Sequence, residues 1–220
     1  MKRLAVLLIC LIVFGSMCSV SASGLKLVCD AGHGGPDGGA VAADGTLEKD
    51  LNLQFALTAA DLFRFVGVST TLTRTDDRSI HDSGADTIRK KKVSDIKNRL
   101  SMINDTDAEL LVSFHQNKFS QPKYRGTQVF YGRLNERSKY IAQAVQKNVK
   151  QLMQPENGRE AKLSGKSIYL LYHCTKPAIL VECGFLSNAD ELSNLKKREY
   201  QKKICFAVMC GVIVENSVLK

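Results

Sequence analysis

Residues 27–40, LVCDAGHGGPDGGA, run from an apolar stretch straight into Asp30, His33 and five glycines. Two later segments have the same build: LLVSF at 110–114 leads into His115 and Asn117, and AILV at 178–181 leads into Glu182. Glu48 stands just beyond the glycine segment. Polar groups at the ends of apolar strands are costly to bury unpaired, and in open α/β sheets the carboxyl ends of the strands are where ligands sit. Two imidazoles and one carboxylate form a donor set that a catalytic zinc accepts, with a fourth position kept for water. His33, Glu48 and His115 supply that set, and Glu182 is left as a carboxylate that is not a ligand. The donors are far apart in the chain and no HExxH stretch fixes them, so spacing alone leaves metal binding and ordinary strand-end roles both open.

Other chemistries fit the glycines less well. A dinucleotide fingerprint beginning at Gly32 needs glycine where Asp37 stands, and a phosphate loop ending in Gly165-Lys166-Ser167 needs glycine where Glu160 stands. Of the remaining imidazoles, His81 lies in a polar stretch and reads as a loop residue, and His173 reads as structural. Adjacency makes Asp30 the candidate to orient His33 from behind. Asn117 and Arg74 lie near the same rim and are candidate substrate contacts, with a strand-end cap and a surface salt bridge as the plain alternatives.

Elements of α/β type must carry these groups. Apolar runs predict strands over 25–29, 68–73, 110–114, 127–131, 168–172 and 178–181. Leu47, Leu51, Phe55, Ala59, Leu62 and Val66 recur at helical spacing and stop at Gly67. Val93, Ile96, Leu100 and Ile103 mark a second helix face, and 140–152 and 200–214 read as two more helices. The alternation predicts a single α/β domain whose mostly parallel twisted sheet is covered by helices on both faces.

The chain has 220 residues, 44% of them apolar, enough for one core. Lys2 and Arg3 precede the apolar run 4–14, and Val20-Ser21-Ala22 supplies small residues for cleavage, so 1–23 reads as a signal peptide or signal anchor and 24–220 as the domain. The protein is then exported, and it meets a membrane only if that segment is retained. Setting aside Cys10 and Cys18 leaves Cys29, Cys174, Cys183, Cys205 and Cys210, an odd number without CxxC spacing, which reads as buried thiols ahead of a disulfide. The formal charge is +9, and removing Lys2 and Arg3 leaves +7, which favours an anionic partner such as a wall polymer over nucleic acid. Lys90, Lys91 and Lys92 could face such a partner or simply solvent.

From residue 25 to 214 the chain resembles the zinc-dependent N-acetylmuramoyl-L-alanine amidases of bacterial cell-wall metabolism. The likeness is carried by LVCDAGHGGPDGGA, LEKDLNL at 47–53, TLTRTDD at 71–77, LLVSFHQN at 110–117, GTQVFYG at 126–132 and PAILVECGFLSN at 177–188. It implies a zinc-hydrolase-like fold, Zn2+ held by His33, Glu48 and His115, and Glu182 as the catalytic carboxylate. The substrate it implies is peptidoglycan, glycan strands bearing stem peptides, cut between the lactyl group of muramic acid and L-alanine. TIRKKKVSDIKNRLSMIN at 87–104 is similar to the germination-specific members of spore-forming bacteria, which implies spore cortex as the setting, a step toward muramic δ-lactam, and leaves room for an accessory protein. A zinc peptidase acting on stem peptides and a silent peptidoglycan-binding protein are the rival readings, and the non-ligand Glu182 weighs against the second.

Overall fold

The computed structural model describes residues 24–218. The signal segment expected over 1–23 lies outside the described residues. Six strands form one sheet: β1 (Lys26–Ala31), β2 (Ser69–Leu72), β3 (Leu110–Asn117), β4 (Gln128–Tyr131), β5 (Lys162–Leu163) and β6 (Ala178–Phe185). Their order is β2-β1-β3-β6-β4-β5. Every pairing is parallel except β4 with β6. The helices are α1 (Glu48–Phe65), α2 (Ile88–Asp105), α3 (Arg137–Leu152), α4 (Tyr169–His173), α5 (Ala189–Leu195) and α6 (Arg198–Val218). No helix among the described residues is long and apolar enough to cross a membrane.

Strand side chains alternate between faces, and the two apolar clusters show which face is which. Leu27, Cys29, Ala31, Val112, Phe114, Val181 and Cys183 pack with residues of α1, α3 and α6. Val28, Leu111, Ala178 and Leu180 pack with Ile103 of α2 and with Leu170 and Leu171 of α4. Counting on by twos from Val28, Leu111 and Leu180 brings Asp30, Ser113, His115 and Glu182 to the α2 face. The register pairs Asp30 with Ser113 and His115 with Glu182. The five cysteines of the described residues are free thiols, four of them buried, as their apolar reading requires.

One expected strand is a helix. The run at 168–172 forms α4, closed by Tyr172 N donating to Ile168 O and Cys174 N donating to Leu170 O. Consecutive Leu170 and Leu171 are both buried in the cluster beneath the sheet, and a five-residue apolar run carries no period that separates strand from helix. Sequence reading also passed over β5 and α5. A usable signal existed for α5: Asn188 caps it by accepting from Glu191 N, the start of a capping-box pattern.

Candidate active site

His33, Glu48 and His115 each place one potential ligand atom within 4.8 Å of the others. Glu48 opens α1, where the helix N-terminus favours a carboxylate. It is only 5% exposed. Its Oε2 lies 3.3 Å from His33 Nε2 and its Oε1 2.9 Å from His115 Nδ1. Ala40 N and Gln116 N also donate to it, at 2.8 and 3.2 Å, which fixes the carboxylate between the glycine loop and the end of β3. Burial opposes its charge, but the two imidazoles outweigh burial and hold the carboxyl well below its usual range. Two nitrogens and one oxygen converging on a single point, with the imidazoles otherwise turned toward the carboxylate, fit a divalent ion with nitrogen and oxygen ligands.

The glycine loop exists to let these groups meet. A Cβ on Gly32 would lie 2.1 Å from His115 Nε2, and one on Gly39 would lie 2.6 Å from Glu48 Oε2 and 2.8 Å from His33 Cδ2. The loop thus makes room for the three converging donors themselves. Gly39 also has φ +69, so Gly39→Ala adds backbone strain to a collision with two ligands. We expect that variant to lose about 10- to 100-fold in metal affinity, read by competition with a chromophoric chelator. Unchanged affinity would remove the loop from this role.

His33 itself has φ 62, a left-handed conformation that is unusual for a residue with a side chain. Three contacts hold it there. Arg99 Nη2 donates to its carbonyl at 2.6 Å, its Nδ1 meets Asp37 Oδ2 at 2.8 Å, and Lys92 Nζ in turn meets Asp37 Oδ1 at 2.7 Å. Burial lowers the affinity of His33 for a proton, but Asp37 and Glu48 outweigh it and raise its pKa to about 9.

Asp30 makes no direct bond to His33, and Arg99 stands between them. It sits on the α2 face of β1 and binds Arg99, Ser113 and Thr73 at 2.7, 2.6 and 2.8 Å, while the ring of His33 is bonded by Asp37. Arg74 is neither a substrate contact nor a surface salt bridge: it is 3% exposed and donates to the carbonyls of Ala31, Gly32, Lys49 and Asp76, clamping the loop from below. Asp77 of the TLTRTDD segment is used in the same way, accepting from Gly35 N and Lys49 Nζ. Asn117 ends β3 half-buried, and its carbonyl accepts from Leu186 N. Lys92 serves Asp37, and Lys90 pairs with Asp86. His81 bonds Ser79, and His173 packs tilted on Tyr169 and edge-on to Tyr172; neither belongs to the group of three converging donors.

Glu182 faces His115 across the β3/β6 pairing. Its Oε2 is buried without a hydrogen-bond partner among the described residues. Burial, foremost, pushes its pKa up to about 7, with His115 opposing and Glu48 adding to the rise. A buried carboxyl with a free oxygen and a pKa near neutrality is a proton carrier in waiting.

Three converging donors at the rim of a mostly parallel sheet, with a separate carboxylate beside them, are the parts that a metal-assisted hydrolase centre requires. The family model for N-acetylmuramoyl-L-alanine amidases matches residues 27–214, and the chain belongs to that family, enzymes that cut the muramoyl–alanine amide of peptidoglycan. The germination-specific N-acetylmuramoyl-L-alanine amidase of Bacillus subtilis (strain 168) is 35% identical over 196 residues, 89% of this chain and 81% of that protein. The CwlD amidase from Clostridioides difficile, solved in complex with the GerS lipoprotein, matches with a TM-score of 0.85 at 38% identity, over 89% of this chain and 100% of that one. An N-acetylmuramoyl-L-alanine amidase from Clostridium difficile 630 matches with a TM-score of 0.77 at 26% identity, over 89% and 98% of the two chains.

Proposed function

We propose that this amidase is zinc-dependent, that His33, Glu48 and His115 hold the ion, and that it acts on spore cortex peptidoglycan after export directed by residues 1–23. The observation that carries the zinc reading is the convergence of those three side chains beside an unpartnered carboxylate. The cortex setting rests on the likeness to the germination-specific amidase of Bacillus subtilis. Because the similar CwlD amidase was solved with a lipoprotein, an accessory protein is part of the proposal.

Zinc bound there supplies a Lewis acid and a water whose pKa falls toward ~7. Glu182 takes the proton of the water that attacks the lactyl carbonyl and delivers it to the alanine nitrogen, which leaves poorly unless protonated. Asp37 keeps His33 in the orientation that turns Nε2 toward the ligand position. Asn117, at the end of β3, is assigned to the substrate side of the rim.

Because His33 holds a proton up to about pH 9 without metal, zinc must displace it. Affinity should therefore rise about tenfold per pH unit from neutrality and level off near that value. Calorimetry in two buffers of different ionisation enthalpy should find a proton released at pH 7; no release would contradict the ligand role of His33. The direct test of the activity is mass spectrometry of muropeptides after incubating residues 24–220 with cortex peptidoglycan, with and without zinc. Zinc-dependent release of whole stem peptides is expected, whereas shortened peptides would mean a peptidase.

A further inference from the structure

Beside the ligand atoms lies a cavity of about 570 Å³ whose floor carries His33 and His115. One wall is α2, presenting Val93, Ile96 and Lys97, and the other is the segment leading into α4, presenting Lys166 and Ile168. The cavity also touches three carboxylates, and each is already engaged by a cation of the protein. Asp30 and Asp95 are held by Arg99 at 2.7 and 2.6 Å, and Asp37 by Lys92 and His33 at 2.7 and 2.8 Å. Lys97 and Lys166 are exposed and make no ion pair among the described residues. The groove therefore offers two ammonium groups that no carboxylate among the described residues has paired, one on each wall, with apolar side chains beside them.

The substrate of an amidase is asymmetric in charge. Forming the muramoyl amide consumes the lactyl carboxyl, so the sugar side of the scissile bond is neutral, while the peptide side ends in at least one carboxylate. We propose that this groove is the stem-peptide side of the cleft, with Lys97 and Lys166 as specificity determinants that bind peptide carboxylates and Val93, Ile96 and Ile168 receiving the aliphatic parts between. The proposal rests on the amidase reading. It also gives Lys166 a use that its Gly-Lys-Ser setting did not suggest, an anion bound by its side chain and not by a phosphate loop.

The test compares the zinc-loaded protein with its Lys97→Ala, Lys166→Ala double variant on two synthetic muramoyl-peptides, one with free peptide carboxylates and one with every carboxylate amidated. An exposed ion pair contributes about a threefold effect, so the double variant should show KM about tenfold higher on the acidic substrate with kcat little changed. The wild type should already show the higher KM on the amidated substrate, and the variant should lose nothing further there. Added salt should erase the difference between the substrates. Equal losses on both substrates, or no loss on the acidic one, would overturn the assignment. Calorimetric binding of the free stem peptide separates this from the activity itself. If neither substrate is cut but the acidic peptide binds in a lysine-dependent way, the amidase reading falls and the groove stands; lysine-independent binding would overturn the groove whatever the turnover.

Discussion

Glu182→Gln should lower kcat by roughly 10²- to 10⁴-fold while leaving zinc content and thermal stability near those of the wild type. The stability half follows from the structure. Oε2 of Glu182 has no partner to lose, and the carboxyl already resists ionisation through burial, so an uncharged amide of the same shape breaks no bond. The activity half follows from proton balance, because the attacking water must shed a proton and the alanine nitrogen must gain one. With the carboxyl pushed up to about 7, and a cation beside it pulling the value down, the acid limb of kcat/KM should fall at or below about pH 7 in the wild type. The limb belongs to a group that must be ionised to accept a proton, so activity rises with pH through it. In the glutamine variant the residual activity should lack that limb. A variant that kept a tenth of the wild-type rate, or that lost its zinc, would transfer the role elsewhere.

Arg99→Met should cost about 3 to 5 kcal/mol, since removing one member of a buried charge network strands the others. Arg99 is 1% exposed and donates to Asp30, Asp95 and the carbonyls of Ala31 and His33, all within 2.6 to 2.7 Å. It ties α2 to the end of β1 and holds the strained His33 in place. For a domain of this size the loss corresponds to a fall in Tm of about 10 °C. The pH dependence separates electrostatics from lost packing. Burial raises the pKa of Asp30, but Arg99 and the Ser113 and Thr73 hydroxyls outweigh it and bring it down to about 2. In the wild type, the stability this gives is present above the unfolded carboxyl value and lost as pH falls toward 2. Without Arg99 the carboxyl rises, so neutral pH becomes the unfavourable side, and the gap in Tm between variant and wild type should narrow as pH drops toward 4. Differential scanning calorimetry across that range would decide it, and a gap independent of pH would mean that packing alone was lost.

Much of this protein is legible along the chain because its determinants are local. Strands β1, β3 and β6 are apolar on both faces because both are covered, and α1, α2, α3 and α6 show their buried sides at helical spacing. His33, His115 and Glu182 announce themselves as polar residues ending apolar runs, and Glu48 by standing at a helix start. What the linear pattern does not carry is which groups face one another. Asp30 is three residues from His33 yet makes no bond to its ring, and Arg99, 69 positions away, meets it instead. Arg74 looks like a surface cation and is instead a buried clamp that joins the end of β1, the glycine loop and the start of α1 through their carbonyls. The glycines at 32 and 39 show their purpose only against His115 and Glu48, which approach from other elements. Residue types and strand ends state which chemistry is available; alternation, register and the crossing of α2 over β1 decide which partner each charge finds, because burial penalises every unpaired one and the nearest partner in space is rarely the nearest in the chain.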